Sequence, residues 1–168
     1  MNRAVFLDRD GTINIDYGYV HEIEKFDLKK GVLHGLKELT KLGYILIVIT
    51  NQSGIGRGYY NVESFNKLND YMIDYFKKNN IDIKKVYFCP HVDEDNCKCR
   101  KPKLSLFYEA QKEFNIDFSK SYAIGDNERD LAICEKENVT GILLEKQNKK
   151  FICTSNFIKA VNYIKSME

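Results

Sequence analysis

Tyr44 to Ile49, "YILIVI", is an unbroken run of six apolar residues, mostly β-branched or aromatic. A strand with one wet face alternates apolar and polar residues, whereas a strand covered on both faces has no need to. The run therefore predicts a central strand of a parallel sheet, buried on both sides. Parallel neighbours are joined by long crossovers, usually helical, so helices must flank it. Before it, Val32, Leu36, Leu39 and Leu42 recur at helical spacing, with Gly43 as a stop signal. After it, Asn61 is placed to cap a long helix that carries Phe65, Leu68, Met72 and Phe76 on one face.

The same alternation runs through the chain. Arg3 to Leu7, Val86 to Phe88, Tyr122 to Ile124 and Gly141 to Leu144 read as four further strands. Helices are expected over Leu104 to Phe114, through Leu131 and Cys134, and over Phe157 to Ile164. The expected architecture is α/β: a three-layer, Rossmann-like parallel sheet flanked by helices. A length of 168 residues fits one domain, 1–168. The first four strands run into "DRDGT", "TNQSG", "CPH" and "GDNERD". Ligands of open parallel sheets bind beyond the carboxyl ends of the strands, so these four polar segments should meet in one crevice.

Composition narrows the partners. The 26 basic and 24 acidic residues leave a net charge of +2, no general attraction for nucleic acid or membrane. No apolar stretch approaches the ~20 residues of a membrane span, and the first apolar run is too short for a secretion signal, so a cytoplasmic protein is expected. In that compartment five cysteines, three of them clustered, argue for metal over disulfides. Cys89, His91, Cys97 and Cys99 have the spacing C-x-H-x5-C-x-C, and a three-cysteine, one-histidine set is a common structural Zn²⁺ site. Four protein ligands leave no coordination position for chemistry. Cys134 and Cys153 stand apart and read as small buried hydrophobes. Nothing in the sequence favours one oligomeric state over another.

Asp8 and Asp10 lie directly after a strand and before Gly11. Alone, the pair could be no more than a turn. Asp126 and Asp130 end another strand, however, and carboxylates crowded on one rim need a cation; an all-oxygen site suits Mg²⁺. A carboxylate beside such an ion can act as a nucleophile, and a second one can carry a proton. Thr50, Asn51 and Lys101 offer a hydroxyl, an amide and a positive charge to a phosphoryl group. The glycines of "TNQSGIGRG" lack the Gly-Lys-Ser/Thr ending of a nucleotide-binding P-loop.

In order, "FLDRDGT", "TNQSG", "RKP" and "GDNERD" resemble the four motifs of the haloacid dehalogenase (HAD) superfamily of phosphatases. Together "DRDGTIN", "GYVHEI", "TNQSGIGRG", "CPH" and "CKCRKP" resemble, from about residue 5 to 145, the bacterial D-glycero-D-manno-heptose 1,7-bisphosphate phosphatases. The resemblance implies a Mg²⁺-dependent enzyme acting on a small sugar bisphosphate, with structural Zn²⁺. It implies that Asp8 attacks phosphorus, that Asp10 donates and later removes a proton, and that Thr50 and Lys101 stabilise the phosphoryl group. It places Mg²⁺ on Asp8, the Asp10 carbonyl and Asp126. It gives substrate contacts to Asp16, Tyr17, Gly18, Tyr19, Thr50, Asn51, Gln52, Ser53, Arg100 and Lys101, and to Asn127, where the family often has lysine. Asp130 is expected to orient its neighbours, and no large cap domain is visible. Two other readings stay open: a histidinol-phosphate phosphatase, which shares these motifs, and a zinc-stabilised binding module without enzymatic activity.

Overall fold

The "YILIVI" run forms most of strand β2 (Ile45–Asn51), and Leu46 through Ile49 are buried. The computed structural model describes residues 1–168. Around β2 lie β1 (Ala4–Leu7), α1 (Val32–Lys41), a one-turn helix α2 (Ser53–Gly56), α3 (Val62–Lys78) and β3 (Ile83–Cys89). Then follow α4 (Ser105–Phe114), β4 (Tyr122–Gly125), β5 (Thr140–Leu144), β6 (Ile152–Thr154) and α5 (Phe157–Ser166). The sheet order is β3-β2-β1-β4-β5-β6, and every pairing is parallel. From β1 the chain builds outward through β2 and β3, then crosses back to add β4, β5 and β6 on the other side. The strand order thus reverses at β1, where open parallel sheets place their crevice.

Two apolar layers cover the sheet, and the period-2 geometry of a strand decides which residue serves which layer. Val5, Leu7, Leu46 and Val48 pack with Leu36 and Leu39 of α1, Phe76 of α3, and Val161 and Ile164 of α5. Ala4, Phe6, Ile47 and Ile49 point the other way, onto Phe107 and Ala110 of α4. As the sequence predicts, the Asn61 side chain caps α3 by accepting from the Ser64 amide; Asn156 does the same for α5 from Lys159. No helix is long and apolar enough to cross a membrane.

The structure corrects several expectations. A sixth strand, β6, pairs with β5; at three half-buried residues it is too short to show a period. Strand β3 begins at Ile83 rather than Val86, because Lys84 and Lys85 are exposed on a sheet edge and break the apolar run. The segment through Leu131 is a 3-10 helix, Glu128–Glu135, whose first turn is tied by the Asp130 carboxylate accepting from the Asn127 amide. The glycine-rich stretch after β2 coils into α2. Cys134 and Cys153 are half-buried rather than core residues, and the Cys153 thiol is hydrogen-bonded to Asn148.

Candidate active site

Asp8 is the first residue beyond β1, and its amide still donates to Ile124 of β4 at 3.2 Å. The next residues fold back on themselves: the amides of Thr12, Ile13 and Asn14 all donate to the Arg9 carbonyl, at 3.2, 2.8 and 3.2 Å. Gly11 has φ +86°, and a Cβ there would sit 2.3 Å from Asp126 Oδ2, so only glycine lets the turn approach the end of β4. Asp8, Asp126 and Asp130 consequently present carboxylate oxygens within 4.8 Å of one another.

One cation is built among them. Lys101 is 2% exposed, and its Nζ donates to Asp130 Oδ1 at 2.7 Å, Asp8 Oδ1 at 2.9 Å and the Ile49 carbonyl at 2.6 Å. Burial works against the lysine charge, but the carboxylates of Asp130 and Asp8 outweigh it and hold its pKa above the ordinary value. Burial, with the Asp130 charge added, pushes Asp8 up to about 8, while Lys101 pulls it down. Asp126 is raised for the same two reasons, burial and then Asp130. Three carboxylates against one ammonium leave an uncompensated negative charge in an all-oxygen donor set. That is the chemistry of a Mg²⁺ site.

Asp10 is held separately, by the Arg9 guanidinium and two side-chain amides. Its Oδ1 accepts from Asn14 Nδ2 at 2.9 Å and Arg9 Nη2 at 2.9 Å, and its Oδ2 accepts from Gln52 Nε2 at 3.1 Å. Thr50 is buried, and its hydroxyl accepts from Gln52 Nε2 at 2.9 Å. Asn51 reads the Lys101 backbone in both directions, Nδ2 donating to its carbonyl at 3.1 Å and Oδ1 accepting from its amide at 3.0 Å.

The second metal-ligand group lies two strands out from Asp8, across β2. Cys89 ends β3, and His91, Cys97 and Cys99 come back to it around a loop whose tip is Asp93–Asp95. Zinc–sulfur bonds of about 2.3 Å and zinc–nitrogen bonds of about 2.0–2.1 Å imply tetrahedral edges of about 3.5–3.8 Å. Cys89 Sγ lies 3.4 Å from His91 Nδ1 and 3.6 Å from Cys97 Sγ, and His91 Nδ1 lies 3.3 Å from Cys99 Sγ. The Cys89–Cys99 edge is tighter, 2.9 Å, and no pair is disulfide-bonded. The donor set and its spacing fit Zn²⁺. Arg100 is drawn into this loop, its Nε donating to Asp93 Oδ1 at 2.5 Å and its amide to Cys97 Sγ at 3.4 Å.

The carboxylate group opens on a cleft of about 500 Å³; the four Cys/His ligands do not line it, but Arg100 and Lys101, next in sequence, do. The cleft gathers Asp8, Asp10, Asp16, Gly18, Tyr19, Asn51, Gln52, Ser53, Arg100, Lys101, Asp126 and Asn127 from the expected set. Tyr17 is elsewhere: it lines a shallow groove with Glu22 and Lys25, and its hydroxyl donates to Asp27 Oδ2 at 2.8 Å. Arg57, Tyr60, Arg129, Asp130 and Lys146 also line the cleft. In the sequence Arg57, Arg129 and Lys146 look like ordinary surface cations, and Tyr60 like any loop aromatic. Arg57, Arg129 and Lys146 form no ion pair.

A parallel sheet that reverses at an Asp-x-Asp turn, with a buried lysine on the first aspartate and acidic groups from the next strand end, defines a HAD-class phosphatase. The model of the polynucleotide kinase 3 phosphatase family matches residues 5–161. The chain is 43% identical to a D-glycero-beta-D-manno-heptose-1,7-bisphosphate 7-phosphatase of Helicobacter pylori (strain J99), over 98% of each. It is 39% identical to a D-glycero-alpha-D-manno-heptose-1,7-bisphosphate 7-phosphatase of Campylobacter jejuni, over 99% of this chain and 98% of that protein. Among solved structures, the D,D-heptose 1,7-bisphosphate phosphatase of B. bronchiseptica, complexed with magnesium and phosphate, shares the fold with a TM-score of 0.90 over 99% of both chains, at 21% identity. The chain belongs to the polynucleotide kinase 3 phosphatase family and to the D-glycero-D-manno-heptose-1,7-bisphosphate 7-phosphatases; it is a phosphoric monoester hydrolase of the HAD superfamily.

Proposed function

We propose that this enzyme removes the 7-phosphate of D-glycero-D-manno-heptose 1,7-bisphosphate by way of a phosphorylated Asp8, in the cytoplasmic supply of nucleotide-heptose for lipopolysaccharide or capsule. The carrying observation is the contact of Lys101 Nζ with Asp8 Oδ1 at 2.9 Å, in a nest of carboxylates that outnumber their one cation. The lysine aims one Asp8 oxygen and leaves the other free toward the cleft. Asp8 attacks phosphorus, Asp10 gives a proton to the departing sugar oxygen, and Asp10 then takes one from the water that hydrolyses the acyl phosphate. Lys101 and Thr50 meet the phosphoryl oxygens as charge shifts onto them. Asp8, Asp126 and the Asp10 carbonyl would hold Mg²⁺, which would supply further positive charge there. Asp130 keeps Lys101 in place.

A bisphosphate brings a second anion, and Arg57, Arg100, Arg129 and Lys146 line the same cleft to receive it. Asp16, Gly18, Tyr19, Asn51, Gln52, Ser53 and Asn127 surround the sugar. Cys89, His91, Cys97 and Cys99 would hold Zn²⁺, which would tie the loop that delivers Arg100 and Lys101 and lower the entropy cost of ordering it. The test is phosphate release from both anomers of the heptose bisphosphate and from histidinol phosphate. Release with Mg²⁺ that is fastest on a heptose bisphosphate is expected; faster turnover of histidinol phosphate would reverse the choice of substrate.

A further inference from the structure

Tyr60 carries no charge and offers no metal ligand, yet it is built into the cleft floor. Its hydroxyl donates to Gln52 Oε1 at 2.5 Å in a buried contact. Gln52 is itself 2% exposed, and its Nε2 faces inward, donating to Thr50 Oγ1 at 2.9 Å and Asp10 Oδ2 at 3.1 Å. The opposite amide orientation would set an oxygen against the Asp10 carboxylate. A single side-chain nitrogen therefore aims two groups at once, and the tyrosine keeps that nitrogen from turning away.

The tyrosine is held in turn from two sides. A Cβ at Gly54 would lie 2.1 Å from Tyr60 Cε1, so the ring rests directly on the backbone of α2. On the ring's plane stacks His21, 4.5 Å between centroids and 8° between planes. Burial pushes the phenol up to about 12, so it stays a donor at any pH the enzyme would work at.

We propose that Tyr60, acting through Gln52, is a positioning residue that orients Asp10 and Thr50 for proton and phosphoryl transfer. The proposal rests on the assignment of proton transfer to Asp10. Catalytic groups misplaced by a fraction of an ångström lose much of their effect, so a lost orientation should be visible in the rate.

The test uses two leaving groups. The heptose bisphosphate releases an alkoxide oxygen that needs a proton, whereas p-nitrophenyl phosphate releases a stable phenolate that needs none. Tyr60→Phe keeps the ring and deletes the hydroxyl. It should lower kcat/KM for the heptose substrate about tenfold and for p-nitrophenyl phosphate less than about threefold. Gln52→Glu, which keeps the acceptor for Tyr60 but removes the inward N–H groups, should show the same asymmetry in kcat, whereas a lost sugar contact alone would raise KM, and it carries the test should Tyr60→Phe melt early. Asp10→Asn is measured in parallel. If Asp10→Asn slows both substrates equally, the role of Asp10 is wrong and the proposal goes with it. If Asp10→Asn is asymmetric while Tyr60→Phe and Gln52→Glu slow both substrates alike or neither, the positioning role alone is overturned.

Discussion

Two irregular segments leave the sheet at the carboxyl ends of its strands, one after β1 and one after β3, and they are held by opposite means. The Arg9–Asn14 turn closes on its own backbone: one carbonyl accepts three amides, and Arg9, Thr12 and Asn14 are buried. The Cys89–Cys99 loop has an exposed acidic tip and few backbone bonds of its own. Its coherence lies in four ligand atoms that face one another. A self-supporting turn can carry uncompensated charge, because loss of the cation does not unfold it. A loop lacking that support can deliver two cations to the cleft only while something ties its ends. Metal removal should therefore cost activity at one segment and order at the other.

The largest effect should come from the turn. Asp8→Asn is expected to lower Mg²⁺-dependent phosphate release on the order of 10³-fold or more. Its melting temperature in Mg²⁺-free buffer should be unchanged or higher, since a crowded carboxylate has been neutralised. Surviving hydrolysis would remove Asp8 as the nucleophile. Lys101→Met tests the link between the two segments: it strands Asp8 and Asp130 without their cation, which should cost about 3–5 kcal/mol in a denaturant titration and also most of the activity. A stable Lys101→Met protein would mean that water already screens those carboxylates.

Loss of the Zn²⁺ proposed for the second segment comes next. Cys97→Ser, or treatment with a zinc chelator, should lower the melting temperature and raise KM about tenfold, because Arg100 and Lys101 lose their mooring. Chelation of Mg²⁺ alone should abolish turnover and leave the melting temperature nearly in place. If both treatments act alike on melting, the contrast between the segments is false. The smallest effect belongs to Tyr17→Phe. Its hydroxyl bonds Asp27 outside the cleft, so kcat/KM should change less than about twofold. A larger loss would show that the Asp16–Ile23 loop turns Tyr17 inward when substrate is bound.

Much of this arrangement is legible in one dimension because chemistry constrains residue type at short spacing. Asp8 and Asp10 share a turn, Cys97 and Cys99 share a loop, and each strand-end cluster announces itself where an apolar run stops. Parallel topology then says that those ends meet. What escapes is whatever depends on packing between segments. The reach of Tyr60 to Gln52 across eight positions leaves no pattern, because any buried aromatic looks the same in a sequence. The pairing of β6 escapes because three residues cannot show a period. The 3-10 winding after β4 follows from Asp130 bending back to the Asn127 amide while its other oxygen reaches Lys101, a tertiary demand that overrides helix propensity.

Gly11 has a consequence for how this protein can vary. Every codon for glycine becomes, by any single base change that alters the amino acid, a codon for a residue with a Cβ or a stop. Each such residue would need φ +86° and would place a carbon 2.3 Å from an Asp126 oxygen. No point mutation offers a mild step away from this residue. In a library of single substitutions, position 11 should be as barren as Asp8 itself, although its side chain is one hydrogen and takes part in no chemistry.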